Sequence, residues 1–189
     1  MPRLAIIVAS NRPGRIAVPV AEWITTVAKQ HGGFEVDVLD LAEIALPFMD
    51  EPNHPRLRQY EHDHTRAWSA QVEAADAFVV VTPEYNYGMP AILKNAMDYL
   101  HHEWAYKPVA FVSYGGVSAG TRAVQMAKQV VTTLRMFAIP EAVSIPFVFQ
   151  LLDDEQRLRP NEVMEGAAKA MLDELVSVEQ ALRPLRRAS

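Results

Sequence analysis

The run Ala77-Phe78-Val79-Val80-Val81-Thr82 constrains the fold more than any other segment of the chain. It is apolar almost throughout and shows no alternation. A strand of that composition has to be covered on both faces, as central strands of parallel sheets are. Leu4–Ala9 has the same character. Phe34–Leu39 instead alternates Phe34, Val36 and Val38 with Glu35 and Asp37, the pattern of a strand nearer an edge. Val109–Ser113 and Val143–Phe149 read as a fourth and a fifth strand.

Amphipathic stretches separate these runs. Ala17–His31 carries Val20, Trp23, Ile24, Val27 and Ala28 at helical spacing, and Gly32-Gly33 stops it. Pro90–His101 is a helix with proline at its start. Ser118–Met136 is another, with Ser118 read as its N-cap. Asn161–Arg183 closes the chain, capped near Pro160-Asn161, ahead of a basic, frayed tail. Asp50–His64 is polar and leads as a loop into a helix ending near Ala74. Such alternation of strand and helix implies a parallel sheet with helices on both faces and right-handed crossovers. With 189 residues and no internal repeat or linker, residues 1–189 are expected to form one domain.

Composition narrows the chemistry. The absence of cysteine removes disulfides, thiolate nucleophiles, iron–sulfur clusters and cysteine-type zinc sites. A net charge of −5 disfavours general nucleic-acid binding. The apolar stretch near the N-terminus is too short for a signal sequence or a membrane span, so a soluble, cytoplasmic protein without a membrane partner is expected.

In an open parallel sheet, ligands bind beyond the carboxyl ends of the strands. Three loops there are unusual. Ser10-Asn11-Arg12-Pro13-Gly14-Arg15-Ile16 sets a hydroxyl and two arginines at a helix N-terminus, where backbone N–H groups and the helix dipole favour an anion. It is neither a P-loop nor G-x-G-x-x-G, and solvated arginines are the plainer reading. Thr82-Pro83-Glu84-Tyr85-Asn86-Tyr87-Gly88-Met89-Pro90 holds two tyrosines between prolines. That suits a flat heterocycle, or equally a stiff structural connection. Ser113-Tyr114-Gly115-Gly116 opens a glycine-rich loop that lets backbone approach a ligand closely.

Taken together these residues resemble the NADPH-dependent FMN reductase family of flavodoxin-like proteins. Ser10–Arg15 resembles the family's phosphate loop, with Ala9 in place of its usual glycine and Arg15 where many members have serine. Thr82-Pro83-Glu84-Tyr85-Asn86 matches its most specific signature, and Lys94-Asn95-Ala96-Met97-Asp98 follows at the family's spacing. Ser113-Tyr114-Gly115-Gly116 and Gly120-Thr121-Arg122-Ala123 match its third loop, and Leu46–Glu51 its segment after strand two. The resemblance implies a three-layer α/β sandwich whose five-stranded parallel sheet runs in the order 2-1-3-4-5. It implies bound FMN, with NADPH or NADH as reductant, and hydride transfer to a quinone, azo compound, metal oxyanion or free flavin. Ser10, Arg12, Arg15 and Ile16 are then expected at the phosphate. Pro83, Glu84, Tyr85, Asn86 and Tyr87 are expected along the isoalloxazine, with Ser113, Tyr114, Gly115 and Gly116 on its other side. The flavin carries the chemistry, so no catalytic residue is nominated. A homodimer or homotetramer is implied, with Pro90–His101, Trp104 and Tyr106 as contact elements.

Two rivals are a non-catalytic FMN-binding electron carrier and a redox-regulated partner protein. A metal enzyme is a third, since His62-Asp63-His64 and His101-His102-Glu103 bring ligand-type residues together. Neighbours at those spacings do not share a helix face, and neither cluster has the spacing of a ligand motif. They read as solvated loop histidines, and no metal is expected.

Overall fold

The computed structural model describes residues 1–187. Strands β1 (Arg3–Val8), β2 (Glu35–Asp40), β3 (Ala77–Pro83), β4 (Pro108–Tyr114) and β5 (Phe137–Ala138) form a sheet in the order β2-β1-β3-β4-β5. A short β6 (Val143–Ile145) also pairs with β4, and every pairing is parallel. This is the flavodoxin-like arrangement, and the two all-apolar runs, in β1 and β3, lie side by side at its centre.

Residues of one strand serve two cores. Ile6, Val8, Val79, Val81 and Val112 pack beneath helices α1 (Ala17–His31) and α6 (Glu162–Arg187), against Trp23, Ile24, Met171 and Leu175. Ile7, Phe78, Val80 and Phe111 point the other way. There they meet Trp68 of α3 (Asp63–Ala74), Met97 of α4 (Ala91–Asp98) and Val131 of α5 (Thr121–Thr133). The short α2 (Leu41–Ile44) follows β2 directly. Burial on both faces is the reason these strands carry no polar alternation.

The structure corrects several boundaries. Of the fifth strand expected at Val143–Phe149 only Val143–Ile145 is strand, β6 beside the end of β4, and a further piece not read from the sequence, β5, lies beside its start. Pro140 and Pro146 lie after each piece, and proline has no N–H to give a ladder. Beyond Pro146 the chain turns at Phe147, whose φ is 46°, into a 3₁₀ turn over Val148–Leu151. Ser118 does not cap α5. Gly120 holds that position in the left-handed region, and the Ser118 hydroxyl is used elsewhere. Helix α6 reaches Arg187, with Arg183 and Arg186 paired to Glu179, so the tail is not frayed there; residues 188 and 189 lie outside the described residues.

Trp104 is not an exposed contact element. It is buried between Trp68 and Phe78, and its Nε1 donates to the Met97 carbonyl at 3.2 Å. Two expected caps are in place: Gly32, at φ 73°, donates its N–H to the Ala28 carbonyl, and Asn161 Oδ1 accepts from Met164 N at 3.0 Å. Among the described residues no helix is long and apolar enough to cross a membrane.

Candidate active site

The three unusual loops meet at the carboxyl end of β1, β3 and β4. Ser10 is fully buried, and its Oγ lies 2.8 Å from the Tyr85 hydroxyl, so the first loop is tied to the second. Tyr114, at the end of β4, is also buried beside them. Burial, then the neighbouring Tyr85, push its hydroxyl pKa well above the ordinary tyrosine value.

A cavity of about 270 Å³ opens between these loops, lined by Arg12, Gly14, Ile16, Pro83, Tyr85 and Tyr114 among others. The first turn of α1 abuts it, and N–H groups there have no carbonyl one turn back in the helix. Arg12 is exposed at its rim. Its guanidinium alone, among the described arginine side chains, makes no hydrogen bond or ion pair.

Arg15 differs. Its guanidinium donates to both carboxylate oxygens of Asp40, at 2.6 and 2.7 Å, and to the Ser10 carbonyl at 2.7 Å. Asp40 also accepts from Ala42 N at 3.0 Å and so caps α2. The Arg15 side chain is therefore a strut between the first loop and the end of β2. Its backbone N–H is also engaged, at 3.1 Å from the Arg12 carbonyl. Nothing in the spacing of two residues so far apart in sequence announces that pair.

The second loop turns tightly. Tyr85 and Gly88 exchange backbone hydrogen bonds at 3.0 Å in each direction, while Asn86 and Tyr87 have φ of 49° and 71°. Two positive φ values at the centre define a type I′ turn, for which asparagine is well suited and tyrosine is not. The Tyr87 ring is held out at the surface, with the Arg122 guanidinium 3.7 Å from its centroid.

Arg122 also reaches Glu84. Its Nε donates to Glu84 Oε1 at 2.6 Å, its backbone N to Oε2 at 3.1 Å, and its Nη2 to the Ser118 hydroxyl at 2.6 Å. Burial works against the Glu84 charge, but these hydrogen bonds outweigh it and hold the carboxyl below its ordinary range. The Glu84 carboxylate thus faces α5, away from the cavity, and joins the second loop to the third.

In the third loop, Gly115 donates its N–H to Ile145 O at 3.2 Å, while Gly116 presents open space at its Cα. A Cβ on Gly120 would sit 2.8 Å from the Tyr114 carbonyl, so that close approach requires glycine. Ser113 Oγ is buried without a partner among the described residues.

Beyond Tyr85 lies a second hollow, of about 500 Å³, between Asn11, Leu46, Phe48 and α4. Its wall is fixed by Asn95, which donates to the Pro47 carbonyl at 2.7 Å and accepts from Met49 N at 3.0 Å. Tyr99 adds a bond to Asp50 at 2.8 Å. The histidines belong to this scaffold and are not merely solvated. His64 contacts the Asp50 carboxylate at 3.0 Å and stacks on His62, which contacts the Asp50 carbonyl at 3.2 Å. His101 accepts from Arg56, and His102 contacts the Arg56 carbonyl. Glu103 is buried, accepting from Tyr60 and Ser69.

Fold and site together define a flavodoxin-like protein with an arginine-rimmed pocket beside an aromatic, glycine-lined cleft. The family model for NADPH-dependent FMN reductases matches residues 2–150, and the chain belongs to that family. An NAD(P)H-dependent FMN reductase of Schizosaccharomyces pombe is 40% identical over 149 residues, covering 77% of this chain and 74% of its own. One from Saccharomyces cerevisiae is 35% identical, covering 76% and 81% respectively. Among solved structures, the flavoenzyme NAD(P)H:(acceptor) oxidoreductase FerB of Paracoccus denitrificans superposes with a TM-score of 0.77 at 20% identity, over 96% of this chain and 98% of that one.

Proposed function

We propose that the chain is an FMN-dependent NAD(P)H oxidoreductase whose cofactor lies across the three loops. The observation that carries the placement is Arg12, an arginine without a protein partner at the rim of a pocket against a helix N-terminus. That is the electrostatic setting of a phosphate. The residues fit the cofactor in two further respects: Ser113 Oγ is a buried polar atom in want of a partner, and Gly116 leaves room for a flat ring to approach.

Ser10, Arg12 and the backbone around Ile16 would hold the phosphate, with Arg15 bracing that loop through Asp40. Pro83, Tyr85, Asn86 and Tyr87 would flank the isoalloxazine on one side, and Ser113, Tyr114, Gly115 and Gly116 on the other. Glu84 acts by fixing the loop. FMN, when bound, supplies the two-electron chemistry that passes hydride from NAD(P)H to an acceptor. The protein's own work is orientation. Tyr85 and Tyr114, both with hydroxyls turned toward Ser10, form a rigid wall, and the hollow of about 500 Å³ beyond Tyr85 gives a second flat molecule room. Quinones and azo compounds fit such a hollow. A 2-hydroxy-1,4-benzoquinone reductase of Burkholderia and an FMN-dependent NADPH-azoreductase of Staphylococcus saprophyticus are relatives at 29% and 25% identity.

A homodimer or homotetramer is part of this reading, supported by exposed Phe48, Tyr87, Val117, Phe147 and Phe149 in and beside the site-forming loops. A cytoplasmic location is supported by the need for NAD(P)H. The test is the visible spectrum of the purified protein, followed by titration with NADPH and NADH without air. Bound flavin that bleaches and is reoxidised by a quinone or an azo dye is expected. Colourless protein that cannot be reconstituted with FMN overturns the reading.

A further inference from the structure

At the opposite end of the sheet, where β4 begins, the chain builds a second charged cleft that none of the flavin-site residues enters. It encloses about 340 Å³ and is lined by Arg58, Glu73, His102, Lys107, Arg135 and Arg186, with Tyr106 at its wall. Four cations face one carboxylate, in a protein whose net charge is −5.

Two of the cations are already neutralised. Arg58 pairs with Glu73 at 2.8 Å and lies 3.6 Å from Glu103, and Arg186 pairs with Asp76 and Glu179. The other two have no carboxylate. Lys107 is almost wholly buried, and its Nζ donates to the backbone carbonyls of Val72 and Glu73 at 2.9 and 3.0 Å, which leaves one of its three protons unspent. Arg135 is exposed. Its one bond is a long contact of 3.5 Å to the Tyr106 hydroxyl, so almost all of its donors are open.

The backbone presents these groups deliberately. Arg58, Tyr106 and Arg135 have φ of 51°, 59° and 59°, a left-handed conformation unfavourable for side chains of this size. Tyr106 N donates to the Arg135 carbonyl at 2.9 Å, and Phe137 N to the Lys107 carbonyl at 3.1 Å, so the segments carrying Lys107 and Arg135 are zipped together.

We propose that this cleft binds a doubly charged phosphoryl group, held between the Arg135 guanidinium and the Lys107 ammonium with the Tyr106 hydroxyl as a further donor. Neither cation sits in an ion pair, although Glu73, Asp76 and Glu103 act on Lys107 at longer range, and the arginine fork matches two oxygens of a phosphoryl group. Burial pushes the Lys107 ammonium down to about 8, so a dianion beside it would restore its proton affinity. Free phosphate and a phosphomonoester share this chemistry. The site is separate from the flavin pocket and does not depend on the proposed oxidoreductase reading.

The test is calorimetric titration of FMN-saturated protein, so that the Arg12 loop does not compete, with inorganic phosphate and separately with phenyl phosphate at constant ionic strength. One site per chain is expected for at least one of the two, and the tighter identifies the source. Arg135→Gln removes an exposed side chain with almost no fold contacts and should weaken binding at least tenfold without shifting Tm. Lys107→Met should weaken binding likewise while lowering Tm, since it also strands the Val72 and Glu73 carbonyls; the Arg135 result stands without it. No binding above a chloride control, or equal binding by wild type and Arg135→Gln, overturns the proposal.

Discussion

Glu84 and Arg122 lock the loop after the third strand onto the first turn of α5: one carboxylate accepts from both the side chain and the backbone N–H of one arginine. The Glu84 side chain is 7% exposed and that of Arg122 40%. Truncating the arginine side chain leaves a buried carboxylate with only the backbone N–H of residue 122 and the Ser118 hydroxyl. Arg122→Ala should therefore destabilise the fold by about 1–3 kcal/mol, the ordinary cost of stranding a buried polar group. It also removes the cation over Tyr87, so flavin affinity should fall along with Tm. Thermal unfolding of the FMN-free and FMN-loaded variant separates the two effects.

The same pair predicts an acid dependence. The folded-state pKa of Glu84 lies below its ordinary 4.5, so the stabilisation it contributes is present above that value and is lost as pH falls through the lowered one. Comparing Tm between pH 7 and pH 3, wild type should decline more steeply below about pH 4.5 than Glu84→Gln, which has no charge there to lose. Parallel curves would remove the carboxylate from the account.

Arg12→Ala should weaken FMN binding by roughly ten- to a hundredfold, the loss of one or two charge-assisted hydrogen bonds, while the stability of the flavin-free protein stays within about 0.5 kcal/mol of wild type. Arg15→Ala should behave in the opposite order. It strands Asp40, whose side chain is 14% exposed, and so should cost flavin-free stability first, by about 1–3 kcal/mol. Flavin content after dialysis and the melting temperature, measured on both variants, distinguish a ligand contact from a strut.

Tyr85→Phe removes the hydroxyl that meets Ser10 Oγ and leaves that buried oxygen to the Tyr114 hydroxyl and a 3.4 Å contact from Arg12 N. FMN affinity or turnover should change several-fold, and likewise in Asn86→Ala, which alters the turn. His62→Ala, which touches the Asp50 scaffold and not the flavin loops, should leave FMN affinity within about twofold. Equal kinetics for all three variants would show that the second loop is not part of the site.

How far these features are legible in the residues depends on their range. The doubly buried strands and the capped ends of α1 and α6 are local, because run length, period and capping chemistry belong to one segment. So are the three loops, since helix starts and glycine positions follow the chain. The broken fifth strand was signalled by Pro140 and Pro146, which the apolar run between and around them outweighs in a reading by hydrophobicity. The Arg15–Asp40 and Glu84–Arg122 pairs, the Trp104 core position and the Asp50–histidine scaffold are tertiary. Each joins segments whose meeting is decided by the sheet, and a charged residue in a loop reads as solvated until its partner is brought to it.

The hydrogen bond between Ser10 and Tyr85 has a consequence for how a ligand would leave. On the proposed placement, phosphate end and ring end would not be independently mounted, because one hydroxyl contact spans the two loops. Loosening either grip slackens the other, so release should proceed as a single event with one rate. Riboflavin, which lacks the anchoring anion, should then lose more than the phosphate's own share of affinity.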